Sequence, residues 1–173
     1  MKVILIGYRA SGKSTVGKLV SDQLRWPLRD IDRGIELKSG LSLTKLYQQF
    51  GEEHYRQIEA EVVAETCATD SCIIAFGAGT ITQSCNERLA RVDSLVVYLQ
   101  LSAEHLWHRI AADPRSATTR PQLSSGGMEE VIEMLARRAP IYQRCADMTL
   151  DGQMTPQQLA DDIVKAVNRM TGG

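Results

Sequence analysis

Residues 7–15 read Gly7-Tyr8-Arg9-Ala10-Ser11-Gly12-Lys13-Ser14-Thr15 and match the pattern G-x-x-x-x-G-K-[ST] at every fixed position. Residues 2–6 precede them as a short apolar run, Lys2-Val3-Ile4-Leu5-Ile6, which is typical of a buried strand. After them, apolar residues recur at helical spacing at Val16, Leu19, Val20 and Leu24. The motif requires a strand, a glycine-bounded loop and a helix in this order, so we predict a P-loop that binds a nucleoside triphosphate.

The residue types of this loop suit a polyphosphate. Glycine at positions 7 and 12 allows positive φ angles and lets backbone N–H groups approach the anion closely. The helix that follows directs its unpaired N–H groups and the positive end of its dipole at the phosphates. Lys13 is expected to reach the β- and γ-phosphates, and the Ser14 hydroxyl is expected to bind Mg²⁺. The predicted contacts of ATP in this loop are Gly7, Ala10, Ser11, Gly12, Lys13, Ser14 and Thr15.

Size and composition limit the other possibilities. A length of 173 residues indicates one domain over residues 1–173, long enough to bury a core. The formal net charge of −1 gives no large basic field, which argues against nucleic acid as a partner. No segment approaches the length of a membrane span and the chain enters its first strand at once, so we expect a cytoplasmic protein. Separately, we expect a monomer. The four cysteines show neither a C-x-x-C pair nor a metal spacing and are interpreted as reduced thiols.

Apolar patterns alternate between strands and helices along the chain. Strands are predicted at residues 2–6, 28–30, 72–76, 95–99 and 148–150. Helices are predicted after the P-loop and at about 32–38, 43–50, 52–67, 83–91, 103–112, 128–145 and from 156 onward. A kink or break is expected at Pro140, and the last helix is expected to face inward with Leu159, Ile163, Val167 and Met170. This order predicts a three-layer α/β/α fold with a mostly parallel five-stranded sheet.

The segment before residue 128 stands apart from this pattern. Residues 113–127 have no apolar period and are rich in Ser, Thr, Pro and Gly. Loops of this length in compact domains tend to be lids or binding segments. We therefore interpret about 112–127 as a lid.

A second group of motifs follows the P-loop. Asp30 and Asp32 lie at the end of the second predicted strand, where ligands bind in open α/β sheets. Strand alternation would put both carboxylates on one face. The remaining motifs are Gly51-Glu52-x-x-Tyr55-Arg56-x-x-Glu59, Gly77-Ala78-Gly79, Arg120-Pro121 in the predicted lid, and Arg137-Arg138-Ala139-Pro140-x-Tyr142.

With these motifs in this order, the chain resembles the shikimate kinases, small P-loop enzymes related in fold to the nucleoside monophosphate kinases. The resemblance covers nearly the whole chain, from Gly7 to at least Tyr142. Its marks are D-x-D after the second strand, G-E-x-x-[FY]-R-x-x-E, a glycine-rich turn, R-P in the lid and R-x-P-x-Y. It implies a Mg²⁺-dependent enzyme that uses ATP to convert shikimate to shikimate 3-phosphate, a step of aromatic amino acid biosynthesis. It also implies that residues of about 32–62 form a substrate-binding helical segment.

The resemblance implies roles for the residues that would bind shikimate. Asp32 matches the aspartate that binds the ring hydroxyls and is the proposed base at the accepting one. Arg56 and Arg138 match the arginines that grip the carboxylate, a task that suits planar, permanently charged guanidinium groups. The backbone of the glycine-rich turn would lie against the substrate at Gly77, Ala78 and Gly79.

Further roles concern the nucleotide. Asp30 looks like the carboxylate that helps Ser14 to hold Mg²⁺, directly or through water. Arg120 matches the lid arginine that closes over the phosphates, and Arg109 resembles an arginine that stacks on adenine. Phosphoryl transfer asks mainly for positioning and charge neutralisation. The catalytic residues implied are therefore Lys13, Asp32 and Arg120.

The chain departs from the family pattern in three places. Ala78 stands where the family usually has the middle one of three glycines, and its methyl group is expected to crowd the pocket or restrict the turn. The predicted lid is longer than usual before Arg120, with Gln122 in place of a common leucine. Tyr55 stands for a usual phenylalanine.

Several positions leave an alternative open. Asp30 and Asp32 each have the alternative of a helix cap or a surface charge. Arg56 has that of a solvated, salt-bridged helix face, and Arg109 that of an ordinary helix-face arginine. Glu59, one turn from Arg56, either orients that arginine or is a plain surface glutamate. Arg137 competes with Arg138 for one role; the spacing to the following proline favours Arg138, with Arg137 facing solvent.

The sequence leaves two alternatives to shikimate phosphorylation open. A kinase of the same fold could act on gluconate or a nucleoside monophosphate, although two arginines and D-x-D favour a carboxylated polyol. A regulatory module could bind ATP without transferring phosphate, which the intact Lys13, Ser14, Asp32 and Arg120 argue against. His105 and His108 lie at i, i+3 on one predicted helix, but no third metal ligand is near in sequence.

Overall fold

A parallel sheet forms the centre of the computed structural model, which describes residues 1–112 and 127–172. Its strands are β1 (Lys2–Ile6), β2 (Leu28–Asp30), β3 (Ile73–Ala75), β4 (Ser94–Gln100) and β5 (Met148–Asp151). They lie in the order β2-β3-β1-β4-β5, and every pair of neighbours is parallel. The predicted α/β fold with a five-stranded sheet is confirmed, and the sheet is entirely rather than mostly parallel.

Seven α-helices lie in the described part of the chain, together with a single 3-10 turn at Thr80–Thr82. They are α1 (Lys13–Leu24), α2 (Ile31–Ser39), α3 (Leu43–Cys67), α4 (Ser84–Ala90), α5 (Ala103–Ala112), α6 (Met128–Cys145) and α7 (Pro156–Thr171). Within residues 1–112 and 127–172, no helix combines the length and the apolar character that crossing a membrane requires.

The alternation of side chains along β1 creates the three layers. Successive residues of a strand point to opposite faces of the sheet, and a parallel strand is covered on both. Ile4 and Ile6 join the core under α2, α3 and α6, whereas Val3 and Leu5 join the core under α1 and α7. All four are fully buried. Burial on both faces explains why β1 reads as a continuous apolar run in the sequence.

Gly51 interrupts α3, as the sequence predicts. Its backbone has φ 78° and ψ 179°, a conformation that is open to glycine and strained for other residues. The helix resumes on the far side and carries Arg56 and Glu59 toward the ends of the strands. The kink therefore separates the first turns of α3 from the part that contributes to the candidate site.

Two expectations about helices need correction. Of the kink or break expected at Pro140, the break does not occur, because α6 continues from Met128 to Cys145. Buried Val131 and Tyr142 lie on either side of the proline, and their packing holds the helix together where one backbone hydrogen bond is missing. Met170, expected to face inward, is 55% exposed, since it lies in the last turn of α7 beyond Val167.

The topology gathers the sequence motifs at one edge of the sheet. The carboxyl ends of β1, β2 and β3 lead into the P-loop, Asp30 and the glycine-rich turn, respectively. Parallel neighbouring strands end on the same side, which is where open α/β sheets bind ligands. The candidate site is built at this edge.

Candidate active site

The P-loop folds around its own lysine. Gly7 has φ 143°, and a Cβ built on it would lie 2.8 Å from the carbonyl oxygen of Leu99, so no other residue fits there. The ammonium group of Lys13 donates hydrogen bonds to the carbonyl oxygens of Gly7, at 2.9 Å, and Tyr8, at 2.8 Å. Gly12 has φ 99° and directly precedes α1. The loop therefore has the closed shape that wraps N–H groups around a phosphate.

Ser14 and Asp30, the two predicted metal ligands, lie side by side. Their Oγ and Oδ2 atoms are 3.3 Å apart, and both residues line the same cleft. The other oxygen of Asp30 accepts a hydrogen bond from the backbone N–H of Arg33 at 3.1 Å and caps α2. The two readings of Asp30 are thus compatible, since one carboxylate oxygen caps the helix and the other faces the cleft.

Asp32 reaches the cleft from a helix, and not from a strand as strand alternation suggests. The strand ends at Asp30 and α2 begins at Ile31, so Asp32 lies in the first turn of a helix. The expectation that both carboxylates share a strand face is therefore wrong, although both line the cleft. A Cβ built on Gly77 would lie 2.6 Å from Oδ1 of Asp32, which places this carboxylate against the glycine-rich turn.

The cleft has two parts, which share Arg9 and Asp32. The phosphate pocket is lined by Arg9, Ala10, Gly12, Lys13, Ser14, Thr15, Asp30, Asp32, Ala75, Phe76 and Arg109. The acceptor pocket is lined by Tyr8, Arg9, Asp32, Leu43, Tyr47, Tyr55, Arg56, Glu59, Gly77, Ala78, Gly79, Glu130, Met134 and Arg138. The two pockets thus bring five predicted P-loop residues together with D-x-D, the glycine-rich turn and both arginine motifs, whereas Gly7 and the buried Ser11 line neither pocket.

Two arginines converge on the glycine-rich turn. A Cβ built on Gly79 would lie 3.2 Å from Nη2 of Arg56 and 3.7 Å from Nη2 of Arg138. The guanidinium group of Arg138 also lies 5.9 Å from the ring centroid of Tyr8. Arg137 is exposed, as its competition with Arg138 predicts. Two fixed cations over one small pocket suit an anionic ligand such as a carboxylate.

Glu59 fixes one of these arginines and is not a surface residue. It is 1% exposed, and its Oε2 lies 2.7 Å from Nη1 of Arg56. Its Oε1 accepts a hydrogen bond of 2.7 Å from the hydroxyl of Thr80, whose carbonyl accepts one from Asn86. Burial opposes the charge of Arg56, but the attraction of Glu59 outweighs it and raises the pKa of Arg56. Thr80 and Asn86 carry no sequence signal that would identify them as part of this network.

The space around the glycine-rich turn explains which residue types occur at its three positions. A side chain at Gly77 would collide with Asp32, and one at Gly79 would crowd the arginines. Ala78 is 5% exposed, does not have a positive φ and accepts a hydrogen bond of 2.5 Å on its carbonyl from the hydroxyl of Tyr142. Burial raises the pKa of Tyr142, so this phenol stays protonated and remains a donor. The turn therefore needs glycine at its first and third positions and accepts a methyl group at the second.

The remaining expectations concern the nucleotide and the lid. Arg109 donates to the carbonyl oxygen of Gly152 at 2.9 Å and reaches that of Ala10 at 3.4 Å, so it lies on the phosphate pocket. Arg120 and the predicted lid segment 113–126 lie outside the described residues. Among the residues that are described, no group of three or more His, Cys, Asp or Glu is arranged to hold a metal ion.

Together, the P-loop at the strand ends and the adjoining pocket of two arginines and one carboxylate define a P-loop kinase for a small anionic molecule. Comparison with known proteins narrows the class. The sequence model of the family described as shikimate kinase matches residues 9–168, and the chain belongs to this family.

Curated relatives agree with this assignment. A shikimate kinase of Pseudomonas syringae pv. syringae is 35% identical over 158 residues, which cover 91% of this chain and 90% of that protein. A shikimate kinase of Thermodesulfovibrio yellowstonii is 31% identical over 173 residues, or 99% and 97% of the two chains. The resemblance inferred from the motifs is thereby confirmed.

A solved structure has the same fold. The shikimate kinase of Acinetobacter baumannii, solved in complex with shikimate, matches with a TM-score of 0.89 and 27% identity. The match covers 98% of this chain and 94% of that one.

Proposed function

We propose that this chain transfers the γ-phosphoryl group of ATP to the 3-hydroxyl of shikimate, giving shikimate 3-phosphate and ADP. The observation that carries the proposal is the convergence of Arg56 and Arg138 at Gly79, with Asp32 beside Gly77 in the same pocket. A carboxylated ring with several hydroxyls matches this set of two guanidinium donors and one carboxylate acceptor. The membership of the chain in the shikimate kinase family supports the same acceptor.

Arg56 and Arg138 would bind the carboxylate of shikimate. Glu59 already holds the guanidinium group of Arg56 by a hydrogen bond, so this group would lose little further conformational freedom when the carboxylate binds. Asp32 would accept the hydrogen bond of the reacting hydroxyl and take its proton. The oxygen of that hydroxyl then attacks the γ-phosphorus while the bond from the γ-phosphorus to the β,γ-bridging oxygen breaks.

The N–H groups of the P-loop and the ammonium group of Lys13 would hold the phosphates of ATP. Ser14 and Asp30 fit Mg²⁺, because kinases commonly hold this ion by one or two protein oxygens together with phosphates and waters. When bound, Mg²⁺ neutralises phosphate charge. Arg109, which adjoins Gly152, would lie on the adenine side of the phosphates. Arg120, whose role is inferred from the sequence, would close over the phosphates.

The proposal is tested by coupled ADP release with shikimate, gluconate and nucleoside monophosphates as acceptors. Turnover is expected with shikimate far above the ATPase background. Preference for another acceptor would mean that the chain is a different kinase. ATP binding without any acceptor-dependent turnover would mean that it is a binding module.

The two arginines are tested separately. Arg56→Ala and Arg138→Ala are each expected to raise the KM for shikimate and to leave ATP binding nearly unchanged. Arg137→Ala is the matched control, because Arg137 neighbours Arg138 on α6 and is exposed. If Arg56→Ala and Arg138→Ala bind shikimate normally, the carboxylate site lies elsewhere.

We also propose that the active unit is a monomer in the cytoplasm. Sedimentation of the active enzyme at assay concentration tests the oligomeric state. A dimer as the active species would contradict it.

A further inference from the structure

Arg9 lies at the boundary between the two pockets. Among the described residues, Arg9 and Asp32 line both the phosphate pocket and the acceptor pocket. One carries a permanent positive charge and the other is an acid. A group that moves from the nucleotide to the acceptor has to pass this boundary, so both residues are within the region of the transfer.

The guanidinium group of Arg9 lies near an aromatic ring and has one donor without a hydrogen-bond partner among the described residues. Its guanidinium group lies 5.9 Å from the ring centroid of Tyr8, a residue that is 3% exposed. Its Nε is buried and has no hydrogen-bond partner in the described part of the chain. A buried donor without a partner costs free energy, and such groups in native proteins call for an explanation. Because this atom has no exposed surface, only a rotation of the side chain would bring it to an acceptor, and a group bound at the pocket boundary offers such an acceptor.

The chemistry of transfer points to what that ligand is. During phosphoryl transfer, charge is spread over the three equatorial oxygens of the γ-phosphoryl group. A guanidinium group presents several donors in one plane and is suited to such oxygens. The P-loop pattern leaves the residue at position 9 unspecified, so the motif itself does not demand an arginine there.

We infer that Arg9 is a catalytic residue that donates hydrogen bonds to the γ-phosphoryl group as it passes from ATP to the acceptor. The inference rests on the proposed function. The bond between the acceptor oxygen and phosphorus forms, the bond to the bridging oxygen of ADP breaks, and the hydroxyl proton goes to Asp32. Arg9 gives up no proton and contributes through its charge and its hydrogen bonds.

Arg9→Met tests the inference, since methionine keeps an apolar stem and removes every donor. Because the interaction exists mainly in the transition state, kcat is expected to fall by about 100-fold, the lower range for the loss of one such donor. The dissociation constants of shikimate and ADP are expected to change by less than about threefold. Arg9→Lys is expected to restore part of kcat, because it returns the charge without the planar donor set.

Stability separates a catalytic role from a structural one. Arg9→Met removes a buried donor without a partner, so its melting temperature is expected to equal or exceed that of the wild type. Arg137→Met is the control for loss of an arginine outside the cleft, and its kcat is expected to stay unchanged. A lower kcat of Arg9→Met that goes with a lower melting temperature would overturn the inference, as would a kcat within about threefold of the wild type.

A transition-state mimic gives a readout without turnover. The wild type is expected to bind ADP, Mg²⁺, aluminium fluoride and shikimate together more tightly than ADP and shikimate alone. Arg9→Met is expected to lose most of this gain while it binds ADP and shikimate normally. Loss of shikimate affinity instead would make Arg9 an acceptor-binding residue and overturn the inference. A wild type without shikimate-dependent turnover would refute the proposed function, whereas equal turnover of wild type and Arg9→Met would refute the role of Arg9 alone.

Discussion

Glu59 joins Arg56 to the turn that follows β3. Its Oε2 lies 2.7 Å from Nη1 of Arg56, and its Oε1 lies 2.7 Å from the hydroxyl oxygen of Thr80. Arg56 has a second acidic partner, Glu52, at 3.5 Å from its Nε, but Glu52 is 61% exposed and Glu59 only 1%. The buried carboxylate therefore sets the direction of the guanidinium group, and the exposed one adds little.

Glu59→Gln is expected to raise the KM for shikimate by about tenfold, which corresponds to about 1.4 kcal/mol, while the KM for ATP stays unchanged. Glutamine keeps the size of the side chain but loses the charge-assisted hydrogen bond that orients Arg56. Glu52→Gln is the matched control and is expected to behave as the wild type, since exposed ion pairs contribute little. Equal effects of both substitutions in steady-state kinetics would contradict the orienting role of Glu59.

Tyr142→Phe is expected to destabilise the protein by about 1–3 kcal/mol, because the buried carbonyl oxygen of Ala78 would lose the donor that the structure gives it. Denaturant unfolding at neutral pH measures the change in the free energy of unfolding. Tyr47→Phe is the control, since its hydroxyl donates at 3.3 Å to the exposed Glu52. If the two variants unfold at the same midpoint, the hydrogen bond between Tyr142 and Ala78 does not stabilise the turn.

Ala78→Gly is expected to leave the KM for shikimate within about threefold and to destabilise the fold by about 0.5–1 kcal/mol, because glycine has more freedom to lose on folding. Gly77→Ala is expected to impair turnover severely, since its Cβ would lie 2.6 Å from Oδ1 of Asp32. Kinetics and unfolding of both variants test the different demands at the two positions. A large gain in shikimate affinity for Ala78→Gly would mean that the methyl group crowds the pocket after all.

The sequence predicts structure most reliably at positions where only one type of residue meets the physical requirement. Gly7 and Gly12, with their positive φ angles, and the apolar run of β1 follow directly from backbone sterics and burial. The parallel sheet then brings the ends of β1, β2 and β3 together, so motifs far apart in sequence meet at one edge. Most of the candidate site therefore follows from the motifs and the order of the strands.

Features that depend on tertiary packing could not be predicted in this way. Glu59 has the sequence surroundings of a surface residue, and only the fold of α3 against the turn at Thr80 buries it. Pro140 normally disfavours a helix interior, but the packing of α6 overrides it. The boundary position of Arg9 depends on where two pockets meet, which no local pattern encodes.

Cys67 is expected to make the stability of the fold depend on alkaline pH. Burial raises the pKa of its thiol from the ordinary 9.0 to about 11. Between these values the folded state binds more protons than the unfolded state, so the stabilisation is complete below pH 9 and is lost as pH rises through 11. The loss attributable to Cys67 is expected to reach at most about 2.7 kcal/mol, because one pKa unit corresponds to about 1.4 kcal/mol.

Denaturant unfolding of the wild type and of Cys67→Ala between pH 7 and about 11 isolates this contribution. The cavity left by the substitution lowers stability by the same amount at every pH, whereas the thiol term changes with pH. The stability difference between the two proteins is therefore expected to shrink above pH 9. Cys85→Ala, which alters an exposed thiol, is expected to keep a constant difference from the wild type over the whole range. A constant difference for Cys67→Ala as well would show that the thiol of Cys67 ionises in the folded protein as easily as it does in the unfolded chain.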